Sequence, residues 1–347
     1  MIYTLPEDDL GHILRYCTAL WKELKHERIF ISGGTGFFGS WLLESFLFAN
    51  KILGLNSGAT ILTRDPKAYQ ERFPNIAGNP SVRLIKGDIR NFAFPPGNYS
   101  FIVHAANETL GQIKNPDPEK EQFDIITKGT EHILDFASKC GCKKLLFTSS
   151  GAVYGRQPLN VLHIPEDFTP KDESDLTSYG KCKIIAENMC CSEAITHEFE
   201  VKIARCFCFI GPYLQLTAQL AAGNFIKNAL VGEPIIINGD GTPLRSYLYA
   251  SDLAIWLWTI LLNGANCRPY NVGSEEVVSI FDLAKAIAKS ADKDLAIQIR
   301  GYSTPHTAPE RYVPETERAR NELGLLQRVT FTEAIEKSLR WFSKAGI

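Results

Sequence analysis

Residues 29–41 read Ile29-Phe30-Ile31-Ser32-Gly33-Gly34-Thr35-Gly36-Phe37-Phe38-Gly39-Ser40-Trp41: an apolar strand, a turn with glycines at 33, 36 and 39, and the start of an apolar helix. Glycine is needed where the backbone turns with unusual torsions, where it must approach a pyrophosphate, and where a helix has to lie close on the preceding strand. The helix that opens at the turn offers unpaired amide hydrogens to phosphate oxygens. A glycine triplet alone is a weak sign. Set between a strand and a helix at the head of a βαβ unit, it predicts a dinucleotide site.

Working outward, strand-like and helix-like stretches alternate. After the helix over 40–53 come short apolar runs at 59–64 (ATILTR), 82–88 (VRLIKGD), 100–106 (SFIVHAA) and 143–150 (KKLLFTSS), with a further helix from Phe123 to Ser138. Apolar strands without polar alternation, separated by helical patterns, are buried on both faces, so the predicted fold class is α/β with a doubly wound parallel sheet. Beyond Glu187, the run 201–210, helices at 224–231, 251–264, 280–291 and 331–344, and strands in 233–238 and 269–273 read as a smaller mixed α/β region. The predicted organisation is 28–205 for the sheet with its dinucleotide site and 206–347 for substrate. A return segment near 237–265 is expected, because no Pro/Gly-rich linker separates the two regions. Upstream, Leu10, Ile13, Leu14, Cys17, Leu20, Trp21 and Leu24 recur at helical spacing. They predict one amphipathic helix over 7–25, in an N-terminal extension of residues 1–27 that packs on its own domain or on another subunit.

Composition narrows the partners. With 37 Lys and Arg against 39 Asp and Glu in 347 residues, there is no basic excess for binding a nucleic-acid backbone. The start MIYTLPEDDL is acidic and no apolar run approaches bilayer length, so neither secretion nor membrane insertion is expected. The nine cysteines, six of them near neighbours at 140/142, 190/191 and 206/208, make neither a disulfide framework nor a zinc set. Buried thiols in a reducing cytoplasm and no metal site are expected.

The chemistry concentrates at two places. Tyr179 and Lys183 stand at i and i+4, on one face if the segment is helical, where an ammonium and a cationic nicotinamide ring would lower the phenol pKa toward neutrality. The strand over 143–150 ends in Ser149 and Ser150, at the sheet edge where open α/β folds take their ligands. A hydroxyl there can share a substrate oxygen with Tyr179. Together they predict alcohol/ketone redox chemistry, with Tyr179 moving the proton and Ser150 polarising the oxygen. At the end of the second strand, Thr63-Arg64 occupies the place of the acid that would hold a ribose 2′-hydroxyl, which leans toward NADP(H), with Asp65 as the alternative. Asp88 closes a later strand and suits the adenine edge.

In order along the chain stand GGTGFFG (33–39), HAA (104–106), TSSGAVYG (148–155), YGKCK (179–183), RCFCFIGP (205–212), GDGTPLRSYLYASDLA (239–254) and YNVG (270–273). From about Arg28 onward the chain therefore resembles the extended short-chain dehydrogenase/reductases, and within them the NAD-dependent epimerase/dehydratase group acting on nucleotide sugars. The resemblance implies a Rossmann-type sheet, an NAD(P) cofactor, a nucleoside-diphosphate sugar as small-molecule partner, and a homodimer built on helices near 123–138 and 179–194. It implies Ser150, Tyr179 and Lys183 as the catalytic set, with Tyr179 and Lys183 also touching the cofactor. Further cofactor contacts fall at Gly33, Gly36, Phe37, Phe38, Gly39, Arg64, Asp88, Ile89 and Ala105. Sugar-nucleotide contacts fall at Ser149, Asn224, Arg245 and Arg311, the two guanidiniums serving as forks for a diphosphate.

Departures from the pattern bear on the reaction. The 4,6-dehydratases carry Asp-Glu directly after the catalytic hydroxyl residue and the related decarboxylases keep the Glu; here Gly151 and Ala152 stand there, and neither titrates. Glu166 or Asp167 could supply an acid only from elsewhere. Ile126 and Cys208 replace two asparagines of the usual pattern. The expected activity is therefore epimerisation or keto-sugar reduction at one carbinol, C4. The alternatives are a dehydratase or decarboxylase with a rearranged acid/base pair and, outside enzymes, a dinucleotide-binding regulator.

Overall fold

The apolar runs assemble into one parallel sheet in the computed structural model, which describes residues 4–107, 113, 115–216, 220–291, 294–302 and 308–346. Strand β1 (Arg28–Ser32) pairs with β2 (Gly58–Thr63), and β2 with β3 (Val82–Lys86). On the other side of β1 come β4 (Phe101–His104), β5 (Lys144–Ser150) and β6 (Glu200–Cys206). The order reverses between β1 and β4, which leaves a crevice at the carboxyl ends of the strands. Short strands β7 (Phe209–Ile210), β8 (Ile235–Ile237), β9 (Leu244–Arg245) and β10 (Leu248–Tyr249) follow, and β11 (Pro269–Val272) then returns beside β6 as the seventh strand of the sheet. Strands β12 (Val278–Ser279) and β14 (Arg311–Tyr312) flank β9, while β13 (Ile297–Ile299) pairs with β8.

Side-chain alternation sends β1 into two cores. Ile29 and Ile31 pack with α2 (Phe37–Leu53) and α8 (Ala250–Asn263), whereas Phe30 faces Phe136 of α5 (Pro118–Lys139) and shares its cluster with Ala186 of α6 (Ser178–Thr196). The first core is continuous with α7 (Ala221–Val231), α9 (Ile280–Ser290) and α11 (Phe331–Ala345), so one body of packed side chains runs from the sheet into the C-terminal region. Helix α8, which carries the most apolar run of the chain, packs under β5 and β6. Segment and sheet are thus interleaved.

Several expectations change. The helix over 7–25 stops early: α1 (Glu7–Tyr16) ends, and a 3-10 turn at Leu20–Leu24 carries the rest. Thr18 explains the break, since its hydroxyl bonds back to the Leu14 and Arg15 carbonyls at 2.8 and 2.9 Å and competes with helix continuation. Ile13, Cys17, Trp21 and Leu24 nevertheless all face the interior and belong to the main core. The apolar run 201–210 splits into β6 and β7, and the second strand ends at Thr63 rather than Arg64. Three helices escape periodicity because they are short: α3 (Pro66–Arg72), α4 (Pro74–Ala77) and α10 (Glu317–Leu323). Helix α5 begins at Pro118, earlier than its apolar stripe, because Asp117 caps it by accepting from the Lys120 amide.

Candidate active site

The crevice over β1 and β4 is a cavity of about 820 Å³, within the range of small-molecule sites. Its floor is the glycine turn. Gly33 has φ +74° and lies so close to the β4 end that a Cβ would sit 2.4 Å from the Ala105 carbonyl oxygen; at Gly39 a Cβ would sit 2.3 Å from the Gly33 oxygen. These positions exclude side chains, and α2 closes onto the turn. Gly36 differs: it precedes the first residue of α2, and a Cβ there would meet only the Gly33 oxygen at 3.4 Å, so its glycine leaves the front open to a ligand. Gly33, Gly36, Phe37, Phe38 and Ala105 line the cavity, while Gly39 lies beneath it. A backbone cradle that any Cβ would fill, under the amides of a helix N-terminus, fits the diphosphate of a dinucleotide.

At the β2 end Thr63 and Arg64 line the same cavity, with Arg64 exposed. Asp65 does not line it; its carboxylate accepts from the Ala68 amide at 3.0 Å as the cap of α3. Asp88 and Ile89 line the cavity too. Arg90 grips the Asp88 carboxylate at 2.8 Å through both Nε and a terminal nitrogen, and this pairing holds its pKa below the usual carboxylate range.

Helix α6 delivers the titrating pair. Thr177 caps it, accepting from the Gly180 amide at 3.1 Å, and Gly180 lets it settle on the turn after β5, because a Cβ there would lie 2.4 Å from the Ala152 oxygen. Tyr179, Lys183 and Ser150 all line the cavity. Asn107 donates to the Tyr179 hydroxyl at 3.1 Å, and the Ala152 amide donates to Ser150 Oγ at 3.2 Å. The buried Lys183 ammonium donates to the Thr148 carbonyl at 2.9 Å and lies 5.7 Å from the Tyr179 ring centre. The protein's own groups do not by themselves lower the phenol pKa. Burial pushes the Tyr179 phenol up to about 12, with hydrogen bonds from Ser150 and Asn107 working against it, and brings Lys183 down to about 8. Desolvation of the phenolate is the dominant effect. Burial, followed by the Lys183 charge, also lowers His104 to about 3, so its ring is neutral between Ser32 and Thr130.

The predicted sugar-nucleotide residues do not all converge. Ser149 lines the cavity, but its hydroxyl donates at 2.5 Å to buried Glu187, which also pairs with Arg205 at 2.7 Å; alternation along β5 turns it away from Ser150. Arg245 lines the cavity and pairs with Glu310 at 2.9 Å. Arg311 does not line it: its guanidinium donates to the Leu162 carbonyl at 3.3 Å. The register gives the reason. In β14 it is Tyr312 that stands beside Arg245, and Arg311 stands beside Leu244, so the two arginines point to opposite faces. Asn224 sits in α7 beyond the lining residues Leu220–Ala222 and is not part of the cavity wall. Glu166 is buried and accepts from the Asn271 amide at 2.9 Å, and exposed Asp167 pairs with Arg318 at 2.5 Å; neither lines the cavity. Cys206 and Cys208 do line it, as thiols that burial pushes up to about 12 and about 11. Sequence reading missed Asn107, Thr148 and Tyr312, whose hydroxyl lies 3.4 Å from Ser150 Oγ. Strand periodicity carries no sign of them.

A family model described as the NAD dependent epimerase/dehydratase family matches residues 29–273, from the glycine turn through β11. The chain belongs to this family. As a member it is an NAD-dependent enzyme of the extended short-chain dehydrogenase/reductase type with a Rossmann-like sheet. Among similar curated proteins, UDP-glucuronic acid decarboxylase 1 of Xenopus tropicalis is 26% identical over 331 residues, covering 93% of this chain and 74% of the relative. UDP-glucuronic acid decarboxylase 3 of Arabidopsis thaliana is 26% identical over 311 residues, covering 89% and 86%. Among solved structures, the UDP-glucose 4-epimerase of Thermotoga maritima with UDP-glucose superposes with a TM-score of 0.76 at 19% identity, covering 92% of this chain and all 100% of that one. The dTDP-glucose 4,6-dehydratase of Bacillus anthracis with NAD gives 0.74 at 21%, covering 92% and 97%. Family members with different reactions thus share this fold. Among the described residues no helix is long and apolar enough to cross a membrane.

Proposed function

We propose that this family member is an NAD(P)-dependent nucleotide-sugar epimerase or keto-sugar reductase that moves a hydride and a proton at one carbinol, C4, of a nucleoside-diphosphate sugar. The observation that carries the reading is the crowding at Gly151: a Cβ there would lie 2.6 Å from the Phe207 ring and 2.7 Å from the Tyr312 hydroxyl. An acid at 151, where the dehydratases carry Asp, would have to displace both rings, and Ala152, where the decarboxylases keep Glu, does not titrate. The nicotinamide, when bound, would accept and return a hydride in epimerisation, or donate one from its reduced form in keto-sugar reduction. The chain's own groups would do the rest: Tyr179 Oη would take or give the carbinol proton, Ser150 Oγ would hold the same oxygen, and buried Lys183 would hold the nicotinamide ribose. The cradle of Gly33, Gly36, Phe37 and Phe38 would take the cofactor diphosphate, and Arg245 the sugar diphosphate. Arg64 in the cavity wall, with Asp65 committed to capping α3, supports NADP(H).

A second reading draws on the names of similar proteins, decarboxylation from the curated relatives and dehydration from a solved structure. Incubation with a panel of nucleoside-diphosphate sugars, followed by mass spectrometry and chromatography, separates the two. Gain of two hydrogens with NADPH, or a new stereoisomer of unchanged mass, is the expected result; loss of water or carbon dioxide overturns it. Exposed Phe123 on α5 and Ile185 on α6, helices packed on each other, suit a homodimer through this pair. The cysteines, all free thiols, suit the cytoplasm.

A further inference from the structure

Ser150 stands between two phenols. Tyr179 approaches from α6 with its hydroxyl in the cavity, and Tyr312 approaches from β14, outside the cavity wall, with its hydroxyl 3.4 Å from Ser150 Oγ and 3.5 Å from the Cys206 carbonyl oxygen. The Tyr312 ring is fixed by Phe207, 4.6 Å away between centres, and by the Arg245 guanidinium 5.9 Å above it. A hydroxyl has one proton and two lone pairs. Ser150 Oγ already accepts from the Ala152 amide at 3.2 Å. Tyr312 likewise has one proton, for which Ser150 Oγ at 3.4 Å and the Cys206 carbonyl oxygen at 3.5 Å compete; when Ser150 takes it, the single proton of Ser150 is left for the cavity side, where Tyr179 and a substrate oxygen lie. We propose that Tyr312 is a positioning residue that donates to Ser150 Oγ from behind and so fixes the direction in which Ser150 donates during catalysis.

Two further observations agree. Burial holds the Tyr312 phenol far above its ordinary range, so it keeps the proton it would donate. The Tyr312 hydroxyl is also the group a Cβ at Gly151 would strike, so this phenol fills the space that a side chain after Ser150 would need. Glycine at 151 and tyrosine at 312 therefore form a matched pair, which agrees with the single-carbinol chemistry proposed above. The inference rests on that reading for its role in turnover, but not for its hydrogen bond.

The test is a cycle of Tyr312→Phe, Ser150→Ala and the double variant. Tyr312→Phe removes one oxygen and keeps the packed ring. It should lower kcat about tenfold, the range of one neutral hydrogen bond, with KM and cofactor affinity changed less than twofold. In the Ser150→Ala background it should have no further effect, since a residue acting through Ser150 has nothing left to act on. Equal losses in both backgrounds, or an unchanged kcat, overturn the proposal. A second measurement needs no substrate: with protein labelled at tyrosine Cζ and loaded with NADP⁺ or NAD⁺, the Tyr179 resonance is titrated by NMR. Tyr312→Phe should move its midpoint in the wild-type background and not in Ser150→Ala; identical midpoints throughout overturn the positioning role. If no sugar in the panel turns over, the titration still decides, and failure of the reaction assignment stays distinct from failure of the Tyr312 assignment.

Discussion

Tyr179 presents a phenol that burial holds at about 12, although the proposed reaction has it exchange a proton. Its un-ionised form suits donation to a ketone oxygen, and its neighbours Ser150 and Asn107 oppose the effect of burial. Tyr179→Phe should leave cofactor binding intact, measured by fluorescence titration, and reduce kcat by roughly 10²–10⁴-fold. Arg64 is tested by cofactor choice. Arg64→Ala should weaken NADP(H) binding by about tenfold or more and leave NAD(H) within about twofold, because only the former carries the 2′-phosphate that the guanidinium would grip. Equal affinities for the two cofactors in the unaltered protein would return the chain to the NAD-using reading.

Local pattern made much of the active-site element visible and hid the rest. The glycine turn and the Tyr179/Lys183 spacing are short-range features, each dictated by torsion or by helix period, and both are legible in a dozen residues. Arg245 and Arg311 show the limit. Each carries a fork suited to phosphate, but which face it occupies depends on the pairing of β9 with β14, a register between segments far apart in the chain. Tyr312 meets Ser150 across 162 positions for the same reason. The contact of α6 with the turn after β5 is the element most exposed to test. Gly180→Ala drives a Cβ to 2.4 Å from the Ala152 oxygen, so α6 must shift. We expect a loss of about 1–3 kcal/mol in stability by denaturant unfolding, and a fall in kcat larger than Tyr312→Phe produces, since Tyr179 and Lys183 move together away from Ser150.

For the molecule as a whole, the segment before β1 is structural. Trp21 is wholly buried and meets Trp258 of α8 edge-on at 5.1 Å, while Lys337 of α11 pairs with buried Asp9 at 2.8 Å. Trp21→Ala should cost about 3–5 kcal/mol, read as a lowered urea midpoint for the whole chain. Glu44 ties the same parts together: it accepts from the Leu5 amide at 2.9 Å and from the Tyr213 hydroxyl at 2.5 Å. Burial raises its pKa to about 7, against the lowering effect of those two bonds. A buried carboxyl raised in the folded state holds a proton that the unfolded chain releases, so folding loses stability as pH rises from about 4.5 to 7. The loss is on the order of 3 kcal/mol above that window. Glu44→Gln, which keeps an acceptor for Leu5, should flatten stability against pH between those limits. An unchanged slope in urea melts would show that Glu44 is not its source.

By itself, the amino-acid sequence determined the strand–turn–helix at 29–41, the parallel sheet, the place of Ser150 at a strand end and the Tyr179/Lys183 pair, because each follows from torsional needs or periodicity within one segment. Tertiary structure alone decided that the N-terminal segment joins the main core, that Ser149 turns to Glu187 and Arg311 to Leu162, and that Tyr312 stands behind Ser150. Those outcomes depend on which faces meet when distant segments pack. Sidedness across a strand pair and the cost of burying a charge belong to the assembled molecule, not to any one stretch of it.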